Sequence, residues 1–295
     1  MNALLLTSAI LVAMVPLTRW AVHRAYRAPR IIERGTPADV GLPYRPERIP
    51  TVNGRHLFAW LVPAAAAARP APAVIVLHGW GGNAEDMLVF ASVLHRADFA
   101  VLLLDARNHG RSDGDEFSSL PRFAEDLEHG LDWLRREPGV DPERIALLGH
   151  SVGAAAALLV AARRREPAAV VSVAAFAHPA DLMGRQMRAH RIPEWPLGRL
   201  LLRYIEHRIG AEFDTIAPCN SIRALACPAL LIHGEADDRV PCSDARRIHA
   251  ARRDDRTELL IIPGVGHDSR DAVPRHAEAL VAFLRRAMGE WPRRR

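Results

Sequence analysis

Ile145-Ala-Leu-Leu-Gly-His-Ser-Val-Gly-Ala-Ala-Ala-Ala-Leu-Leu-Val160 decides the fold. Arg144 to Leu148 is a short apolar run, the mark of a strand buried on both faces. Val152 to Arg164 is rich in alanine and leucine and reads as a helix. Between them Gly149-His-Ser-Val-Gly153 forms a G-x-S-x-G turn. Small residues flank Ser151 because a sharp strand-to-helix turn crowds its backbone. The turn lifts the Ser151 hydroxyl above a sheet and points a helix N-terminus at it. An ordinary Gly-Ser turn has no need of this strand and helix context.

Outward from this unit, the same alternation repeats. Ala73 to Leu77, Phe99 to Leu104, Ala168 to Ala174, Ala229 to Ile232 and Glu258 to Ile262 read as buried strands. Asn83 to Arg96, Leu120 to Arg136, Ser243 to Arg252 and Pro274 to Met288 read as helices. Strands alternating with amphipathic helices imply an α/β fold: a mostly parallel sheet with helices on both faces. Upstream, Asn53-Gly54 joins the short runs Arg48 to Val52 and His56 to Val62, predicting an N-terminal β-hairpin at the sheet edge. From His178 to Cys227 the rhythm breaks for longer than one crossover needs. This stretch reads as a small helical cap insertion over the strand ends, where open α/β sheets bind ligands.

A serine hydroxyl needs a base, and the base an orienting acid. Candidates follow at later strand ends. His267 lies after Gly264 and Gly266, which free a loop to carry the imidazole back over Ser151. The acid is Asp237 or Asp238, adjacent in His233-Gly-Glu-Ala-Asp-Asp-Arg-Val-Pro241. The order Ser, Asp, His along the chain suits such a sheet. An oxyanion needs two preorganised N–H donors. The reading takes Val152, next to the nucleophile, and Trp80 in His78-Gly-Trp-Gly-Gly-Asn83. That loop has neither G-x-G-x-x-G nor a Walker lysine, so a phosphate cradle is disfavoured. His78, Gly79, His150 and Trp195 complete the expected substrate surroundings.

These motifs, with Asp105-Ala-Arg-Asn-His-Gly-Arg-Ser-Asp-Gly114 after the second buried strand, resemble the α/β-hydrolase family, most nearly its serine-aminopeptidase-like and membrane-anchored members. The resemblance spans about Pro46 to Gly289. It implies Asp237 as the acid, and hydrolysis of an acyl ester, amide or thioester through an acyl-enzyme. Acyl transfer or perhydrolysis with the same triad is the alternative, and a non-catalytic binding protein on this fold is another. Ser151 disfavours dehalogenase chemistry, which uses an aspartate nucleophile.

Composition sets the limits. Of 295 residues, 49% are hydrophobic, enough for a core, so a wholly disordered chain is excluded. All 39 basic residues are arginine, giving a net charge of +5. Arg-for-Lys replacement on this scale tracks base composition, and no nucleic-acid motif accompanies it. Cys219, Cys227 and Cys242 fit no zinc or disulfide pattern, so neither metal nor cofactor is expected. The expected partner is a small-molecule acyl substrate.

Residues 1–30 are read as an apolar segment with a basic flank, 31–45 as a linker and 46–295 as the hydrolase domain, with the cap at about 178–227. The run Ala3 to Leu17 precedes Arg19, Arg24, Arg27 and Arg30, with Trp20 and Tyr26 among them. No charged side chain precedes it and no A-x-A cleavage site follows, which favours an uncleaved membrane anchor over a signal peptide or a packed helix. The arginines would then keep the catalytic domain cytoplasmic; a cleaved segment would export it. In the cap, Trp195, Leu197, Leu200, Leu201 and Ile205 form an apolar lid for an acyl chain or simply pack on the sheet.

Overall fold

The computed structural model describes residues 27–65, 70–268 and 272–289. Eight strands make one sheet: β1 (Arg45–Pro50), β2 (His56–Val62), β3 (Ala71–Leu77), β4 (Ala100–Leu104), β5 (Val140–His150), β6 (Ala169–Val173), β7 (Ala229–Gly234) and β8 (Thr257–Ile262). Their order is β1-β2-β4-β3-β5-β6-β7-β8. The expected hairpin forms: β1 pairs antiparallel with β2, and β2 antiparallel with β4. Every pairing from β4 through β3 to β8 is parallel. At the hairpin, Asn53 (φ 58°, ψ 29°) and Gly54 (φ 66°) both take left-handed backbone, as a two-residue type I′ turn demands.

The continuous apolar strands are explained by burial on both faces. Ile75, Leu77, Leu102, Leu104, Ile145 and Leu147 enter one core, with helices α2 (Leu120–Leu134) and α3 (Val152–Arg163). Val74, Val76, Val101, Leu103, Ala146 and Leu148 enter the other, with α1 (Leu88–Arg96) and α9 (Val273–Gly289). Alternate residues of each strand thus face opposite helix layers. Helix α3 is buried almost all round, which is why its sequence carries no polar face.

The insertion contains α4 (Pro179–Ala189), α5 (Arg199–Ile209) and two one-turn helices, α6 (Phe213–Ile216) and α7 (Pro218–Ser221). The remaining helix, α8 (Cys242–Ala250), lies between β7 and β8. The cap's apolar residues divide between core and surface. Ile205 is buried and Leu201 packs on the core, whereas Leu197 and Leu200 are exposed. Helix α4 falls within the stretch read as helical, though the sequence reading gave it no bounds, and Pro179 at its first position suits a helix start.

The expected linker is instead a strap laid over the C-terminal ends of β3 and β4. Arg30 donates to the Gly110 carbonyl at 3.0 Å and to the Ser112 carbonyl, and Asn83 donates to the Ile31 carbonyl at 3.0 Å. Glu33 is buried and pairs with Arg111. An extended strap held by polar contacts has no hydrophobic period, so its docking leaves no sequence pattern. Of the expected anchor and basic flank, residues 1–30, residues 1–26 lie outside the described residues. Among the described residues no helix is long and apolar enough to cross a membrane.

Candidate active site

Strand β5 ends at His150 and helix α3 begins at Val152, so Ser151 alone makes the turn. Its backbone (φ 56°, ψ −116°) is one that non-glycine residues rarely adopt, at a cost of about 1–3 kcal/mol. The surroundings hold it there. Ser151 N–H donates to the Val173 carbonyl at 2.8 Å, and Ala155 N–H to the Ser151 carbonyl at 3.1 Å.

The flanking glycines are needed for space. A Cβ on Gly149 would lie 2.5 Å from the Ala154 nitrogen, and one on Gly153 would lie 2.6 Å from the Leu77 carbonyl oxygen. These obstacles are backbone and cannot rotate away. Gly153→Ala should therefore push α3 off β3 and cost about 2–4 kcal/mol of stability. The accompanying shift of Ser151 should lower kcat about a hundredfold. Thermal denaturation and ester kinetics on the one variant check both effects.

His267 sits on the loop after β8 and Asp237 on the turn after β7. The two loops touch because Gly234 has no side chain: a Cβ there would meet the Gly266 carbonyl oxygen at 2.8 Å. Ala236 N–H donates to the Val265 carbonyl at 2.9 Å and ties them together. The result is a connected row. His267 Nε2 lies 3.1 Å from Ser151 Oγ, and His267 Nδ1 lies 2.8 Å from Asp237 Oδ2. With Nδ1–H donating to the carboxylate, Nε2 is free to accept the serine proton.

Asp237 is buried, and Asp238 beside it is exposed. The other Asp237 oxygen, Oδ1, accepts from the N–H of Val240 at 2.8 Å and of Arg239 at 3.0 Å. Burial acts to raise its pKa, but the hydrogen bonds from His233, His267 and Val240 outweigh it. They hold the carboxyl well below the usual carboxylate range. The aspartate thus stays charged beside the imidazole.

Gly79 brings the Gly-rich loop onto Ser151: a Cβ on it would lie 3.2 Å from Ser151 Cβ and 3.1 Å from His150 Nδ1. Trp80 follows directly, its ring stacked on Phe123 at 6.3 Å and edge-on to His109 at 6.1 Å. Among the described residues, neither the Trp80 nor the Val152 N–H donates to a loop or turn carbonyl. Two donors thus flank Ser151 without an internal partner.

His150 and His78 differ from expectation. His150 is half-buried, and its Nε2 donates to the His267 carbonyl at 3.0 Å, so it braces the loop that carries His267. His78, expected among the substrate contacts, has no exposed surface. Its Nδ1 donates to the Gly79 carbonyl at 2.7 Å and its Nε2 accepts from Ala106 N–H at 3.1 Å. It clamps the Gly-rich loop from within and has no surface open to a ligand. Trp195 is 76% exposed in the cap, with no hydrogen bond or ring contact to the triad.

Burial, and secondarily the neighbouring His109, pushes the His78 imidazole down from 6.5 to about 3. The unfolded chain then binds a proton below pH 6.5 that the folded chain refuses until about pH 3. Stability from this residue is complete above pH 6.5 and falls on acidification, by about 1.4 kcal/mol per pH unit. Between pH 6.5 and 4.5 the wild type should lose about 2–3 kcal/mol more than His78→Asn. Urea titrations at the two pH values measure the difference.

The Asp105 to Gly114 stretch carries functions that its sequence did not disclose. Asp105 accepts from Ala84 N–H at 2.7 Å and Arg111 N–H at 2.9 Å, fixing the far end of the Gly-rich loop. Burial, and then the adjoining Glu33 carboxyl, raises its pKa well above the usual range. Ser112 Oγ bridges the Asp105 carbonyl and Phe58 N–H, both at 2.7 Å. Arg107 forks onto Asp126, with its Nε at 2.6 Å and its N–H at 2.8 Å. The signals were present as Asp, Gly and Arg at fixed spacing, but their partners lie far away in sequence.

Comparison with known proteins agrees with this fold. Residues 68–211 match the family described as serine aminopeptidase, S33. The chain is 33% identical over 220 residues to the uncharacterized protein Rv2307c of Mycobacterium tuberculosis, covering 75% of this chain and 71% of that one. It is 26% identical over 300 residues to YfhR of Salmonella typhimurium, covering 97% and 96% of the two chains. Among solved structures, the Pyrococcus furiosus esterase Pf2001 superposes with a TM-score of 0.72 at 24% identity, covering 90% of this chain and 98% of that one. The chain thus belongs to the same family as Rv2307c, matches the serine aminopeptidase, S33, model over residues 68–211, and is a serine hydrolase of the α/β-hydrolase fold.

Proposed function

We propose that the protein hydrolyses acyl esters through Ser151, His267 and Asp237. The observation that carries this reading is the unbroken Ser151–His267–Asp237 row of hydrogen bonds, ending on a serine held in strained backbone.

In the reaction, Ser151 Oγ attacks the ester carbonyl carbon and its proton passes to His267 Nε2. The carbonyl oxygen becomes an oxyanion, held by the N–H groups of Trp80 and Val152. Collapse breaks the bond to the leaving alkoxide, which takes the proton from His267 Nε2 and departs as the alcohol. Water then attacks the acyl-enzyme carbonyl and gives its proton to His267. Collapse releases the carboxylic acid, and Ser151 regains its proton. Asp237 holds the imidazole tautomer and stabilises the imidazolium in both halves. A fluorophosphonate probe tests the reading. It should label the full-length protein on Ser151, located by peptide mass spectrometry, and block turnover of p-nitrophenyl esters. No label, or label elsewhere with turnover intact, would overturn it.

A further inference from the structure

We propose that the cap docks on an anionic lipid bilayer through an exposed ridge of Trp195, Leu197 and Leu200 ringed by Arg191, Arg199 and Arg203.

The ridge is apolar beyond what packing requires. Trp195, Leu197 and Leu200 are 76%, 52% and 62% exposed. Helix α5 already fills its core-facing stripe with buried Ile205 and with Leu201, Leu202 and Ile209 packed beneath. Leu200 lies outside that stripe, and Trp195 and Leu197 precede the helix. Three large apolar side chains within six residues make a patch of the kind that marks an interaction surface.

Its charge selects the occupant. Residues 185–210 hold six arginines against two glutamates. Arg185, Arg188 and Arg208 are engaged with Asp244, Glu194 and Glu116. Arg191, Arg199 and Arg203 are exposed, and among the described residues no carboxylate pairs with them. A second copy of this chain would bring the same cations to the contact, so self-association is opposed. An anionic headgroup layer answers the arginines, while the indole and leucines reach the acyl boundary. An indole is suited to that depth, having an apolar body and one N–H.

Position gives a second argument. The strap is bonded to the loop after β4 through Arg30, and the cap reaches the same loop through Arg208, whose guanidinium lies 5.2 Å from the Phe117 ring centroid. The chain therefore enters the domain at the end of the sheet that carries the ridge. Ile31 and Ile32 on the strap are also exposed there, at 54% and 48%. Residues preceding the strap include the apolar run Ala3 to Leu17.

The test uses the full chain and reads Trp195 as the emission difference between wild type and Trp195→Phe. Phosphatidylglycerol-rich vesicles should shift that emission to the blue, and brominated lipid should quench it. Phosphatidylcholine vesicles should do neither. Leu197→Gln/Leu200→Gln and Arg199→Gln/Arg203→Gln should each reduce quenching to the phosphatidylcholine level. Both should still hydrolyse a water-soluble ester at the wild-type rate, which separates this proposal from the reaction mechanism. Unchanged Trp195 emission on a chain that pellets with vesicles would overturn the proposal. Equal quenching in both lipids, or burial of Trp195 in a cross-linkable dimer, would do the same.

Discussion

Ser151→Ala should lower kcat for ester hydrolysis by about four to six orders of magnitude and leave the fold intact. The nucleophile is lost outright, and the oxyanion donors and His267 can only assist direct attack by water. The fold survives because alanine keeps the Cβ and suffers the same backbone strain at φ 56°. What is lost structurally is one bond, the 3.1 Å contact to His267 Nε2, worth about 1 kcal/mol net. Steady-state kinetics and thermal denaturation of one preparation separate the two effects. A variant that keeps a tenth of the wild-type rate would remove Ser151 from the mechanism.

Asp237→Asn should cost about four orders of magnitude in kcat near neutral pH, while Asp238→Asn should change it little. The substitution is nearly isosteric, so the loss is one of proton placement. The Asp237 carboxylate accepts from His267 Nδ1 at 2.8 Å and thereby keeps Nε2 without a proton. An amide nitrogen facing Nδ1 favours the opposite tautomer, with Nε2–H turned toward the serine and unable to accept from it. His233 reinforces the choice: its Nε2 donates to the Val240 carbonyl at 2.8 Å and lies 3.3 Å from Asp237 Oδ2, within the same buried turn. Asp238 is exposed and outside this network. The paired variants, compared for kcat and for the imidazole proton resonances of His267, distinguish the acid from its neighbour.

Particular residues show how much was legible. The hairpin could be read because Asn-Gly has few other uses between two β-rich runs. The central strands could be read because both faces of the sheet are covered and, apart from Ser172, the runs that cross it are apolar. Helix α4 was read only as part of a helical insertion, because its polar contacts, such as Arg185 with Asp244, join residues far apart in sequence. His78 and His150 were visible as motif residues, but which contacts a ligand depends on burial. His78 is fully enclosed, whereas His150 braces the His267 loop. The strap was missed for a related reason: Arg30 and Glu33 find their partners some eighty residues onward, at Gly110 and Arg111.

The sequence by itself determined the kind of fold and the chemistry of its turn. Strand and helix periods are local properties, and G-x-S-x-G is a steric requirement written in adjacent residues. The tertiary structure alone decided which side chains share a place. Ser151 and His267 lie 116 residues apart in sequence, and Asp237 lies 30 from His267. Their hydrogen bonds depend on a parallel strand order that no local pattern encodes. Tertiary packing also divided the cap's apolar residues between the core and an exposed ridge, because which face of α5 meets the sheet is settled by what lies beneath it.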